Sequence, residues 1–292
     1  MKDLDTLFKQ YDFSFTDESV KNAVKDILTK NFAKNDNKEV YRKCLSLIDL
    51  TSLNATDTEE KIEKMMQKVN DFPQHFPDTQ NVPAVCVYPA LVPIARKTLN
   101  ADTKIAAVSA CFPSSQTFIE AKIAEVALTA LAGADEIDVV ISLGKFLGGN
   151  YGEVFEELEE IKSACRNSHL KVILESGSLP SCADIKKASI IAIAAGADFI
   201  KTSTGKSEPA ATLEAAYVMC QTIKEFYEKN GVKTGFKPAG GVAVTKEAVE
   251  FYTVVEAVLG EEWLNSDLFR FGASRLANNL LTSIYDKEIK YY

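Results

Sequence analysis

Two lysines, Lys201 and Lys237, stand where a buried β-strand ordinarily carries no charge. Lys201 ends the apolar run Ala197-Asp198-Phe199-Ile200, and Lys237 lies within Gly235-Phe236-Lys237-Pro238. Burying an ammonium is costly, and loss of its proton is the usual response. A neutral amine attacks carbonyl carbon, and a neighbouring cation lowers its pKa further. The pair therefore raises imine chemistry. For one isolated lysine, a salt bridge or a strand-end side chain reaching water would be the simpler reading.

A repeated spacing adds a carboxylate. Gly133-Ala134-Asp135-Glu136-Ile137-Asp138 parallels Gly196-Ala197-Asp198-Phe199-Ile200-Lys201, with a charged residue five positions after each glycine. Each glycine reads as a helix end leading into a strand. If these are alternate strands of a barrel, Asp138 and Lys201 point inward in one layer. A carboxylate there can move protons during carbinolamine and imine formation. These residues alone do not say which lysine is the nucleophile.

The elements that must position them alternate. Eight apolar, β-rich runs are expected at Cys44–Leu50, Ala84–Tyr88, Ile105–Ala110, Glu136–Ile141, Lys171–Glu175, Phe199–Ser203, Thr234–Lys237 and Phe269–Gly272. Helix-period segments lie between them, at Thr56–Val69, Ser114–Leu131, Gly152–Cys165, Ser181–Ala195, Thr212–Tyr227, Lys246–Leu259 and Ser274–Tyr285, with a short one in Leu91–Leu99. This alternation implies parallel strands and right-handed crossovers. The expected fold is a (β/α)8 barrel over residues 41–286, with an N-terminal helical extension at 1–40 and a tail at 287–292. An open doubly wound sheet is the alternative. In the extension, Asp17–Ala33 reads as a capped amphipathic helix, either covering the barrel bottom or facing another subunit.

Three loops suggest where an anion would sit. Thr202-Ser203-Thr204-Gly205-Lys206 follows strand six, Ala239-Gly240-Gly241 follows strand seven, and Gly272-Ala273-Ser274 follows strand eight and opens a helix. Glycine lets backbone N–H groups approach an anion, and a helix N-terminus favours negative charge. The candidate phosphate contacts are Thr202, Gly205, Lys206, Gly240, Gly241, Gly272 and Ser274. The spacing is not that of a Walker loop. Asp49, inside the first strand, is equally a substrate ligand or an ion-pair partner. Glu175, ending strand five, is a carboxylate able to orient neighbours. Cys86 reads as a small core residue.

Composition narrows the classes. A net charge of −8 argues against nucleic acid, and no run approaches a membrane span of about 20 apolar residues. Six scattered cysteines without a Cys-x-x-Cys pair read as reduced thiols of a cytoplasmic protein. His75, expected in a loop, and His169 are the only histidines, which disfavours a metal mechanism.

Longer words carry a resemblance. Asp198–Lys206, Gly235–Gly241 and Glu136–Val140 resemble the deoxyribose-phosphate aldolase family, as do Asp49–Asn54, Cys86–Pro89 and Phe269–Ser274. The likeness runs from about Leu45 to about Leu281. It implies a class I aldolase on a (β/α)8 barrel, cleaving 2-deoxy-D-ribose 5-phosphate to D-glyceraldehyde 3-phosphate and acetaldehyde without a cofactor. The resemblance places the Schiff-base lysine on Lys201 and the proton-relay pair on Asp138 and Lys237. It also suggests a terminal tyrosine, Tyr292, able to visit the site on a flexible tail. The long N-terminal region departs from the family and leaves subunit arrangement open, a homo-oligomer being possible. Rivals are a Schiff-base aldolase or transaldolase for another sugar phosphate, and a non-catalytic phosphate-binding barrel.

Overall fold

The computed structural model describes residues 4–292. Eight parallel strands form the barrel: β1 (Ile48–Thr51), β2 (Ala84–Val87), β3 (Lys104–Ser109), β4 (Glu136–Val140), β5 (His169–Ile173), β6 (Phe199–Lys201), β7 (Gly235–Lys237) and β8 (Phe271–Ala273). They pair in sequence order from β1 to β7, and β8 pairs with β1. The last seam, β7 to β8, closes through two parallel bridges, Phe236 with Phe269 and Ala239 with Gly272. The sheet is thus a nearly closed barrel, not an open doubly wound one.

Helices cover the outside: α4 (Glu59–His75), α5 (Val92–Thr98), α6 (Ile119–Leu131), α7 (Leu143–Leu147), α8 (Tyr151–Ala164), α9 (Cys182–Ala194), α10 (Leu213–Asn230), α11 (Thr245–Leu259) and α12 (Arg275–Tyr285). Side-chain caps start several of them. Thr58, Ser181 and Thr212 each accept a backbone N–H three residues on, which satisfies donors that the first helical turn leaves open. The outer core is continuous, with Val85, Ile105, Ile137, Val172, Ile200 and Phe236 all fully buried against these helices.

Three expectations need correction. The first strand starts at Ile48 because the preceding apolar residues belong to α3 (Lys38–Leu45), which Asn37 caps through Glu39 N and Val40 N. A boundary at residue 40 therefore falls inside a helix. His75 is the last residue of α4 and not a loop residue. The extension comprises α1 (Leu4–Phe8) and α2 (Asp17–Asn35), and α2 lies along the flank instead of the barrel bottom. Asp17 accepts from Cys182 N at the start of α9, and α2 packs on α10 and α11. At its far end Asn35 donates to Thr253 and Glu256 of α11.

The barrel interior is divided by chemistry. One wall is apolar, with Cys86, Ala106 and Val108 packed beside Leu53. The opposite side holds fully buried charge. Arg270 donates to Asp49 at 2.6 Å and to Glu136 at 3.0 Å. Lys171 donates to Asp49 at 2.7 Å and is also bonded to Glu136. Ions removed from water lose several kcal/mol of hydration each, so they persist only when mutually paired. Replacing one member leaves its partners buried and uncompensated. Arg270→Met is expected to destabilise the fold by about 3–5 kcal/mol. Adding Glu136→Gln should recover part of that loss, as read from chemical denaturation; additive losses would show that the two side chains are not coupled.

Candidate active site

Strand geometry explains the reactive layer. Side chains alternate across a strand, so Asp49, Glu136 and Asp138, Lys171, and Phe199 and Lys201 point inward on their own strands. Lys201 and Lys237 are direct register partners on β6 and β7, and Asp138 pairs with Lys171 across β4 and β5. The register brings the trio together. Asp138 Oδ2 accepts from Lys201 Nζ at 2.8 Å and from Lys237 Nζ at 2.8 Å. Lys237 also reaches Asp49 Oδ2 at 2.5 Å. Asp138 Oδ1 makes no hydrogen bond within the protein, and Lys171 Nζ lies 3.8 Å from it.

The two lysines sit in opposite electrostatic settings. Burial pushes the Lys201 amine below its ordinary pKa; Asp138 opposes this and the Lys237 charge adds to it. Burial would also lower Lys237, but Asp138 and Asp49 together outweigh it and hold its pKa above the ordinary value. Asp138 resists its own burial because Lys201, Lys237 and Lys171 surround it, and its carboxyl stays well below the usual range. Asp49 is likewise held well below its ordinary value, as Lys171, Lys237 and Arg270 outweigh burial. Burial pushes the Cys86 thiol up to about 11, which removes it as a thiolate nucleophile at neutral pH.

A cavity of about 290 Å³ opens above the trio at the C-terminal ends of the strands. Lys201 lines it, whereas Lys237 and Asp138 do not. Gly205, Lys206, Gly240, Gly241, Gly272 and Ser274 also line it, so six of the seven proposed phosphate contacts converge there. Gly240 has φ of +78°, and a side chain on it would come within 2.9 Å of Gly205 Cα, so these two loops meet backbone to backbone. Gly272 makes room of another kind: a Cβ there would lie 3.0 Å from Lys237 Cε and 2.7 Å from Ala239 Cβ. Lys206 Nζ is bonded to the Leu53 carbonyl across the mouth. Arg275, at the start of α12, lines the cavity too.

Other expected contacts lie elsewhere. Thr202 is fully buried, and its hydroxyl joins β6 to the segment after β7 by accepting from Ala239 N at 3.0 Å and donating to Ala239 O at 3.2 Å. Asp49 lies beneath Lys237 and off the cavity wall, ion-paired with Lys237, Lys171 and Arg270. Tyr292 is not on a free tail. Its ring stacks on Phe72, its hydroxyl donates to Asn81 before β2, and Asn278 accepts from the backbone N–H groups of Tyr291 and Tyr292. It lines a neighbouring cavity and not the one holding Lys201. Glu136, Lys171 and Arg270 were not anticipated as members of the network. For Glu136 the signal was present in the charged pair Glu136-Ile137-Asp138, whose spacing of two puts both carboxylates on one strand face.

Comparison with known proteins follows the same residues. A family model described as DeoC/LacD family aldolase matches residues 43–275. A second, described as a domain of unknown function, matches residues 1–82. The deoxyribose-phosphate aldolases of Homo sapiens and Mus musculus are 39% and 40% identical to this chain, each covering 83% of it and 80% of the relative. Among solved structures, the aldolase QR15 aligns with a TM-score of 0.69 at 28% identity, covering 83% of this chain and 98% of that one. A deoxyribose phosphate aldolase from Aeropyrum pernix, described as having a unique tetrameric structure, aligns with a TM-score of 0.67 at 23% identity, covering 89% and 97%. At that identity the likeness bears on the fold alone. The protein is therefore an enzyme, a carbon–carbon lyase, and the reading as a non-catalytic phosphate-binding barrel is set aside. By the family match over most of its length and by these relatives, the chain belongs to the DeoC/LacD family of aldolases.

Proposed function

We propose that the chain cleaves 2-deoxy-D-ribose 5-phosphate to D-glyceraldehyde 3-phosphate and acetaldehyde, reversibly, through an imine on Lys201. One observation carries the choice of nucleophile: of Lys201 and Lys237, Lys201 alone lines the cavity, and it is the one whose pKa is lowered. The names of the curated relatives support the substrate. Charge balance supports the protonation state. The fully buried network contains the carboxylates of Asp49, Glu136 and Asp138, and the cations Lys171, Lys237 and Arg270 balance them; Lys201 is the remaining member.

In the cleavage direction, the Lys201 amine adds to C1 of the open-chain sugar. The carbinolamine loses water and becomes a protonated imine. Asp138 and Lys237 carry the protons, Asp138 through its unpaired Oδ1. Loss of the C3 hydroxyl proton lets the C2–C3 electron pair move toward the iminium, releasing glyceraldehyde 3-phosphate. The resulting enamine takes a proton at C2, and water then hydrolyses the imine to acetaldehyde and free Lys201. The glycine loops hold the phosphate and use its binding for orientation.

The acidic chain takes a small sugar phosphate and not nucleic acid, and needs no organic cofactor. Among the described residues no helix is long and apolar enough to cross a membrane. The cysteines are free thiols, five of them buried, which suits a cytoplasmic enzyme. A homo-oligomer is part of the proposal.

Borohydride reduction with acetaldehyde, followed by peptide mass analysis, is expected to leave a two-carbon adduct on Lys201. An adduct confined to Lys237 would reverse the roles, and no adduct would remove the mechanism. Lys201→Arg should lose at least about 1,000-fold in kcat while remaining folded, because guanidinium does not deprotonate. Substrate identity is read by comparing turnover of 2-deoxyribose 5-phosphate with that of ribose 5-phosphate; preference for the latter would favour an aldolase for another sugar phosphate.

The pH profile tests the electrostatics. Lys237 lowers the Lys201 pKa and shares Asp138 with it, so removing Lys237 raises the Lys201 pKa on both counts. The rate of acetaldehyde-dependent borohydride inactivation rises with pH as Lys201 deprotonates. In Lys237→Met that rise is expected to move to higher pH; an unmoved or downward-shifted profile contradicts the assigned role.

A further inference from the structure

Glu175 is a buried carboxylate for which the proposed imine chemistry has no use. It follows β5 and adopts a left-handed backbone conformation, φ 51° and ψ 54°. That region is uncommon for residues other than glycine, asparagine and aspartate. Held strain of this kind gathers where surrounding contacts over-determine a position. Here the contacts are specific. The Glu175 carboxylate accepts from Thr204 N at 3.2 Å and from Thr204 Oγ1 at 2.6 Å. Thr204 Oγ1 in turn accepts from Lys206 N at 3.0 Å. The next residue repeats the tie through its backbone, as Ser176 N donates to Thr202 O at 2.8 Å.

These bonds address one segment. Thr204, Gly205 and Lys206 form the part of the β6 loop that lines the cavity, facing Gly240. Glu175 does not itself line the cavity. Its two oxygens take both donors of Thr204, and the Thr204 hydroxyl then fixes the backbone of Lys206. The loop is gripped from its far side while its cavity side stays open to an anion. Lys201 lies at the end of β6, before this loop, and is held independently by Asp138.

We infer that Glu175 is a positioning residue for phosphate: through Thr204 it holds the Gly205–Lys206 turn in the geometry that receives the phosphate of the substrate, and it does not act in imine formation. This inference rests on the proposed sugar-phosphate reading. A merely structural carboxylate would affect all substrates alike. One that shapes the phosphate cradle acts on phosphorylated substrates only.

The test compares Glu175→Gln, Thr204→Val and Thr204→Ser with the parent enzyme. Substrates are 2-deoxyribose 5-phosphate and unphosphorylated 2-deoxyribose, and inorganic phosphate binding is measured by calorimetry. Glu175→Gln and Thr204→Val should each raise KM for the phosphorylated sugar by about tenfold and weaken inorganic phosphate binding by a similar factor, as expected for one charge-assisted hydrogen bond. In Glu175→Gln, kcat/KM for the unphosphorylated sugar should change by less than about twofold on the same reasoning. Thr204→Ser keeps the hydroxyl and should restore the parent KM. Equal losses on both sugars, or no loss on either, would overturn the inference. If Glu175→Gln fails to fold, the two Thr204 variants decide it by the same measurements. A parent enzyme that binds inorganic phosphate but does not cleave 2-deoxyribose 5-phosphate would instead refute the substrate assignment, and the phosphate-binding arm would still decide the role of Glu175.

Discussion

Asp138 Oδ2 receives two hydrogen bonds from two different lysines, each 2.8 Å long, in a place with no solvent exposure. The rest of the barrel interior depends on this shared oxygen. An unpaired carboxylate at that depth would take up a proton, and an unpaired lysine would lose one. Together they set a gradient, with the lysine that also touches Asp49 keeping its charge and the lysine nearest the cavity shedding it more readily. Arg270 and Lys171, lower in the barrel, hold Asp49 and Glu136 in a paired layer beneath Asp138.

The scaffold delivers these groups because strand register and side-chain alternation are strict. Direct pairing of Lys201 with Lys237 forces the two amines side by side, an arrangement that like charges would otherwise resist. Asp138 makes it tolerable. The apolar wall of Cys86, Ala106 and Val108 across the barrel contributes by excluding water, which strengthens every charge interaction opposite it.

Much of this was readable in the chain, and the failures have physical reasons. The eight strands stood out because strands buried on both faces make short continuous apolar runs. The first was misplaced because Cys44 and Leu45 are apolar for a different purpose, facing inward from the end of α3. Lys201, Lys237 and Asp138 were visible as charges inside apolar strands, though only the cavity wall separates Lys201 from Lys237. The burial of Thr202 was not legible because its hydroxyl bonds the backbone of Ala239, a partner distant in sequence. The anchoring of the tail was not legible because its fixing point is the side chain of Asn278 on α12, and terminal sequence carries no trace of such a partner.

The seam between β7 and β8 links barrel girth to amine chemistry. Gly272 sits at one of the two bridges closing the seam, and the space its missing Cβ leaves is occupied by Lys237 Cε and Ala239 Cβ. The circumference of the barrel and the seat of the auxiliary lysine are therefore a single steric problem. A wider seam would let Lys237 drift from Asp138, and a tighter one has no room for its methylenes. The diameter of this barrel, usually regarded as a property of the scaffold, here also fixes where the Lys237 side chain can lie.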